Sequence, residues 1–305
     1  MTSYHSIRDY PTCTLTRLAP TPSGFLHLGN ILSFALTAYF AERTGARILL
    51  RIDDMDQLRA EKKYTDDIFE TLSFMGIHWD EGPVDYTAYS QQHTQRLRMP
   101  HYLRALQQLA DDGHVFACTC SRSQLAQLPV GSGYPGTCEH KNLPLDTPDA
   151  SWRIRSYPGK TLTVRRLGSS PVSLSLPASM HGFVVRKKDG DPAYQLTSLI
   201  DDQLLGTDLI VRGIDLWPST WAQLYLASLL NISGFEQTLF VHHPLLLGTL
   251  GQKLSKSAGD TSIHTLREQG WSAAAIYTHI ASLLGFKKTA GNWQELAVLA
   301  TRLFA

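Results

Sequence analysis

The apolar pattern opens with a compact run at 14–18, Thr-Leu-Thr-Arg-Leu, which predicts a short buried strand. A Pro/Ser/Gly stretch from Pro20 to Gly24 follows as a loop. Ile31, Leu32, Ala35, Leu36, Tyr39 and Phe40 then recur at helical spacing, and Gly45 ends the segment. Residues 47–52, Arg-Ile-Leu-Leu-Arg-Ile, predict a second strand. Strand, loop, helix, strand is the opening unit of a parallel α/β sheet, and a ligand in such a sheet sits where the first strand ends and the helix begins. Helical patterns continue at 62–76 and 91–112. From 115 to 150 the chain carries Cys, Gly and Pro with little periodicity and reads as an insertion. Residues 181–202 predict a hairpin turning at Lys188-Asp189-Gly190, then a helix from Tyr194. A strand at 207–212, a helix at 217–230 and a strand at 238–246 follow. A Gly/Lys/Ser loop covers 248–260, and 262–305 reads as helical. There is no internal repeat or low-complexity tract.

At 305 residues the chain suits one domain with an insertion. An apolar fraction of 43% and a charged fraction of 18% fit a soluble globular protein. No run of about 18 apolar residues predicts a membrane span. Met1 to Pro11 is polar and lacks an apolar signal core, which predicts a cytoplasmic protein. The net charge of +1 argues against a field that attracts nucleic acid as a whole, so any such contact must come from a local patch. Arg165-Arg166 and Arg186-Lys187-Lys188 are clusters of that kind, although such clusters are usually solvated faces. Of four cysteines, Cys118, Cys120 and Cys138 fall close together and Cys13 stands apart. In a cytosolic chain that clustering points to metal before disulfide.

Two stretches are candidates for phosphate chemistry, although taken alone the first also reads as an ordinary strand-to-helix turn and the second as a surface loop. In Pro20-Thr21-Pro22-Ser23-Gly24-Phe25-Leu26-His27-Leu28-Gly29-Asn30, Pro22 and Gly24 shape a turn and Gly29 lets a ligand approach the backbone. The helix start presents unpaired N–H groups to an anion, and His27 stands just before it, where its ring can donate to a phosphate. In Lys253-Leu254-Ser255-Lys256-Ser257, two lysines at i and i+3 can meet the charge of a leaving pyrophosphate. No dinucleotide fingerprint is present. Gly159-Lys160-Thr161 is not a P-loop, because Ile154 stands where its first glycine belongs.

For an amino acid with two carboxylates and an ammonium, a pocket needs guanidinium groups and an acid. Arg17 and Arg212, each at a strand end, are candidates for the carboxylates; Asp53 is one for the ammonium, and Tyr194 adds a hydroxyl.

The two phosphate stretches resemble, in order and separation, the HIGH and KMSKS signatures of class I aminoacyl-tRNA synthetases. Together with Arg17-Leu-Ala-Pro-Thr-Pro-Ser-Gly and Arg51-Ile-Asp53-Asp54-Met-Asp56, the resemblance narrows to the glutamyl/glutaminyl branch over residues 14–260. It implies an α/β fold, a Rossmann-like parallel sheet with a zinc-bearing insertion and a short helical C-terminal region. The sheet halves would occupy 12–114 and 181–260, the insertion 115–180 and the helical stub 261–305. It further implies catalytic roles for His27, Lys253 and Lys256, and ATP binding, with Mg²⁺, by Pro20, Pro22, Ser23, Gly24, His27, Gly29, Asn30 and Lys256. L-Glutamate would be held by Arg17, Ala19, Thr21, Asp53, Tyr194 and Arg212. One departure stands out: the family mostly reads Arg-Ile-Glu-Asp where this chain reads Arg-Ile-Asp53-Asp54, which shortens the reach toward the ammonium. An arginine at 212 still favours an acidic side chain over a neutral amide.

Cys118-x-Cys120 and Cys138 supply three thiolates, and tetrahedral Zn²⁺ needs a fourth ligand. From the residues alone that ligand is water or His140. The short glutamyl-Q synthetases carry Cys-x-Cys…Tyr-x-x-x-Cys, which implies Tyr134 here and one structural ion. Those truncated paralogues lack the large anticodon-reading domain, and the 45 residues of 261–305 are too few for one. The resemblance therefore implies transfer of glutamate to the queuosine base in the anticodon of tRNA(Asp), by a monomer. The alternatives are a truncated glutamyl-tRNA synthetase charging a tRNA 3′ end, and an inactive RNA-binding paralogue.

Overall fold

The computed structural model describes residues 10–304 except 128, 130, 158 and 247–261. Strands β1 (Leu15–Leu18) and β2 (Arg47–Leu50) form a parallel ladder from Leu15–Arg47 to Leu18–Leu50. Helix α1 (Leu28–Thr44) joins them and is closed by Gly45, whose φ of 73° lies in the left-handed region that glycine enters without strain. Ile31, Leu32, Ala35 and Leu36 on α1 are fully buried. The expected helix at 62–76 is α2 (Lys62–Phe74).

The pattern at 91–112 breaks into pieces. After the short α3 (Tyr86–Ala88) come a π turn at Tyr89–His93 and a 3₁₀ turn at Gln95–Arg98, and only then α4 (Met99–Asp111). Thr94, at φ −61° and ψ 144°, is the break. Its hydroxyl bonds to the buried carboxylate of Asp54, and the Gln95 amide donates to the same group at 2.8 Å. A buried acid 40 residues away thus overrides the local helical pattern.

Beyond α4, β3 (Val115–Cys118) leads into the short α5 (Arg122–Ala126). Four strands carry no expectation above: β3 itself, within the stretch read as an insertion, and β4 (Ser151–Ile154), β5 (Thr161–Arg166) and β6 (Val172–Ser175). The expected hairpin is reduced to β7 (Val184–Arg186) and a single antiparallel bridge between Arg186 and Pro192, with helix α6 (Tyr194–Leu204) starting where the sequence places it. Strand β8 (Leu209–Gly213), helix α7 (Trp217–Leu229) and strand β9 (Leu239–His243) match their expected positions. The C-terminal region is helical in three pieces, α8 (Ile263–Glu268), α9 (Ala273–Leu283) and α10 (Trp293–Ala300).

β8 and β9 pair in parallel, and β5 joins β9 in parallel through Arg165 and Arg166, with β6 antiparallel outside it. β1 runs alongside β8: the Asp208 amide donates to the Leu15 carbonyl at 3.1 Å, and Arg17 Nη1 reaches the Val211 carbonyl at 3.4 Å. The strands therefore follow the order β2, β1, β8, β9, β5, β6. β3, β4 and β7 form a separate antiparallel sheet. One apolar cluster packs α1 against α2, α9 and α10, and a second joins α4, α6 and α7 to β4 and β5. Among the described residues no helix is long and apolar enough to cross a membrane.

Candidate active site

A cavity of about 520 Å³ opens where β1 and β8 end and α1 begins. Arg17, Ala19, Thr21, Asp53, Tyr194 and Arg212, which the sequence assigns to the amino acid, all line it. His27, Gly29 and Asn30 line the same cavity, whereas Pro20, Pro22, Ser23 and Gly24 shape the preceding turn without lining it. Lys253 and Lys256 lie outside the described residues. The described positions on either side of them do bear on the cavity. Leu246 lines it, Ser262 bridges to His27, and the Ile263 amide donates to the Leu26 carbonyl at 2.8 Å.

Arg17 and Arg51 in the cavity wall are tightly paired. Arg17 Nε donates to Asp202 Oδ1 at 3.0 Å, and Arg51 Nη1 donates to the same oxygen at 2.7 Å. Arg51 also takes both oxygens of Asp53, at 2.7 and 3.1 Å. Burial pushes the Asp202 carboxyl up, but Arg51 and Arg17 outweigh it and hold it below the usual carboxylate range. Asp201 is committed elsewhere, to Arg98 at 2.7 and 3.0 Å and to the Tyr102 hydroxyl. Arg212 is only 3% exposed and pairs with no carboxylate among the described residues. Its Nη2 donates to Thr220 Oγ1 at 2.6 Å and Gln223 Oε1 at 3.0 Å, while Nε and Nη1 have no hydrogen-bond partner among the described residues. Burial lowers its pKa, and the nearby Tyr194 phenol and Asp202 work in the opposite direction. Arg17 and Arg51 thus share Asp202 and Asp53, whereas Arg212 has no carboxylate within ion-pair reach among the described residues; Asp215 also lines the cavity. A buried cation with open donors favours an anion that satisfies them.

The start of α1 differs from expectation. Its first amides are not held open for an anion, because His27 caps them: Gly29 N–H donates to His27 Nδ1 at 3.1 Å, and the Asn30 and Ile31 amides go to the His27 carbonyl. Asn30 Oδ1 in turn accepts the His27 amide at 3.0 Å, completing a capping box. With Nδ1 accepting, a neutral ring carries its proton on Nε2, so an anion at this end would meet the imidazole before the capped amides. Gly29 has a matching reason: a Cβ there would stand 3.0 Å from His27 Cε1, displacing the ring.

Cys118, at the end of β3, Cys120 and Cys138 bring their sulfurs within 4.8 Å of one another. The Tyr134 hydroxyl lies 3.3 Å from Cys118 Sγ and 3.6 Å from Cys120 Sγ, and Cys120 and Cys138 sulfurs are 3.6 Å apart. A tetrahedron of thiolates about 2.3 Å from Zn²⁺ has edges near 3.8 Å, so the four atoms fit that ion. Burial raises the Cys138 thiol, but the Tyr134 hydroxyl and neighbouring donors bring it down to about 6, which favours the ligating thiolate. His140 is exposed and stands outside the group. Cys13 is likewise apart, its sulfur 3.8 Å from the Pro11 carbonyl.

Sequence reasoning did not single out Arg51, Asp202, Thr220 or His243. Arg51 stands in the quoted Arg-Ile-Asp-Asp stretch, and two adjacent acids inside the apolar stripe of α6 were a visible signal for Asp202. Nothing local marks Thr220 or His243; the latter is buried, lines the cavity, and has Nε2 unpartnered among the described residues.

With this geometry in place, similarity to known proteins is informative. The sequence profile of the tRNA synthetases class I (E and Q), catalytic domain, matches residues 14–143 and 148–296. A glutamyl-Q tRNA(Asp) synthetase of Nitratidesulfovibrio vulgaris is 35% identical over 284 residues, 88% of this chain and 86% of that one. One from Symbiobacterium thermophilum is 35% identical over 287 residues, with the same two shares. A glutamate tRNA ligase of Elizabethkingia meningosepticum, crystallised with its amino acid, shares the fold with a TM-score of 0.69 at 22% identity, over 93% of this chain. This chain spans 64% of that protein's length. The chain belongs to the glutamyl-Q tRNA(Asp) synthetase family, a branch of the class I tRNA synthetases for E and Q, and is a ligase of that type.

Proposed function

We propose that this enzyme activates L-glutamate with ATP, taken as its magnesium complex, and transfers it to the queuosine base in the anticodon of tRNA(Asp). The observation that carries the first step is Arg212: a buried guanidinium with two open donors, in one cavity with His27 and Asp53. An acidic side chain fits those donors, while a neutral amide leaves the guanidinium charge unpaired. Arg17 and Tyr194 complete the carboxylate contacts. Asp53, although engaged by Arg51, keeps lone pairs on both oxygens for the ammonium.

A glutamate α-carboxylate oxygen then attacks the α-phosphorus. The new P–O bond forms as the bond to the bridging oxygen breaks, and pyrophosphate leaves with that electron pair. His27 donates from Nε2 to the phosphates, and Lys253 and Lys256 neutralise charge as it moves onto the leaving group. In the second step a hydroxyl of the queuosine cyclopentene ring attacks the glutamyl carbonyl. AMP leaves, an ester forms, and the hydroxyl proton passes to solvent. The three cysteines and Tyr134 would hold one Zn²⁺, which cross-links the β3 end to the 134–138 segment and stays out of the chemistry.

The test is transfer of labelled glutamate to three substrates: queuosine-containing tRNA(Asp), queuosine-free tRNA(Asp) and tRNA(Glu). Label on the first alone supports the proposal. Label on tRNA(Glu) alone replaces it with 3′-end charging.

A further inference from the structure

Behind Arg212 lies a chain of side chains that does not line the cavity. Thr220 Oγ1, on α7, accepts from Arg212 Nη2 at 2.6 Å and lies 2.8 Å from His242 Nε2. Having accepted from the arginine, the hydroxyl must place its own proton on another acceptor. Oγ1 also donates to the Leu216 carbonyl at 3.3 Å, so the hydroxyl is held between the arginine, the histidine and that carbonyl whichever tautomer the imidazole takes. Burial and the adjacent Arg212 charge act in the same direction, pushing His242 down to about 2.

The imidazole is itself fixed. Trp217 meets it edge-on with centroids 4.8 Å apart, and Phe240 lies nearly parallel to it at 6.1 Å. Phe240 also lies beneath the Arg212 guanidinium at 5.5 Å, so one ring braces both ends of the chain. Thr220 and Gln223 are fully buried. They clamp one nitrogen of the guanidinium, so the plane of its fork follows from where Thr220 is held.

We propose that His242, acting through Thr220, is a positioning residue for Arg212, orienting the open Nε and Nη1 donors so that the pocket selects an acidic side chain over its amide. This rests on the glutamate reading of the cavity and adds the residues that set its selectivity. A fork free to swing can meet a carbonyl oxygen as readily as a carboxylate; a fork held in one plane rewards the two-oxygen partner.

The experiment is ATP–pyrophosphate exchange with glutamate and with glutamine, run on wild type, Thr220→Val, Thr220→Ser and His242→Phe. His242→Phe keeps an aromatic ring between Trp217 and Phe240 and removes only the ring nitrogens, including the one that meets Thr220. Thr220→Val and His242→Phe are expected to raise KM for glutamate about tenfold, with kcat and the KM for ATP nearly unchanged. The ratio of glutamate to glutamine kcat/KM should fall by a similar factor, and Thr220→Ser should restore both. A merely structural role for Thr220 would instead lower thermal stability and leave the amino-acid ratio intact. Unchanged glutamate KM and ratio in both Thr220→Val and His242→Phe overturn the inference while leaving the glutamate reading standing. Wild-type enzyme that exchanges with no glutamate overturns both, and is seen before any variant is measured.

Discussion

Arg51 grips Asp53 by two hydrogen bonds, at 2.7 and 3.1 Å, and the pair is locked into the cavity wall by a further bond from Arg51 to Asp202. Asp53 in the cavity wall is therefore oriented by an arginine two residues before it and by a carboxylate on α6. The shorter Asp53 in place of the family's glutamate sits in a geometry this bidentate pair dictates.

Asp202→Asn tests that lock. Removing the charge leaves Arg17 and Arg51 buried without their shared partner, which is expected to cost about 3–5 kcal/mol of stability at pH 7. The pH dependence has a definite sign. The folded-state pKa of Asp202 is held below its unfolded value of about 3.9, so its contribution is present above that value and is lost as pH falls through the folded one. Urea melts at pH 7, 5 and 3 should show the variant less stable at pH 7 and the gap narrowing toward pH 3.

His27→Asn separates two roles of one residue. Asparagine is a good N-cap and can accept the Gly29 amide, so the melting temperature should stay within a few degrees of wild type. The phosphate donor is lost, and the exchange rate should fall about a hundredfold. His27→Ala should lose activity equally and about 1 kcal/mol of stability besides.

Lys256→Ala carries the second half of the phosphate argument. The exchange rate is expected to drop about a hundredfold or more, with an unchanged denaturation midpoint. An exchange rate equal to wild type would remove the lysine motif from the chemistry.

Cys138→Ser should lower zinc content, measured by atomic emission, together with the melting temperature, because the thiolate ligand disappears. Tyr134→Phe should keep zinc at saturation but weaken its affinity, since three thiolates remain. A metal-free wild type of normal stability would contradict both.

Much of the site was legible because its residues sit near strand ends next to turn chemistry: Arg17 is the penultimate residue of β1, Asp53 follows β2 and Arg212 lies in β8. β1, α1 and β2 follow directly from apolar runs punctuated by Gly45. What stayed hidden depends on partners distant in sequence. The Arg51–Asp202 bond spans 151 residues, and the break at Thr94 depends on Asp54. β5 is a different kind of miss, because its buried Leu162 and Val164 alternate with exposed residues and the period of two was there to read. The expectation of open amides at the α1 start failed because His27 itself occupies them.

The central claim is that a buried, uncompensated Arg212 makes this cavity a glutamate-activating site. ATP–pyrophosphate exchange with glutamate, glutamine and aspartate, on wild type and Arg212→Gln, addresses it most directly. Robust exchange with glutamate, at most a few per cent of that rate with the other two, and a loss of about a hundredfold or more in the variant is the expected result. Exchange that prefers glutamine, or that survives the loss of the guanidinium, would contradict it.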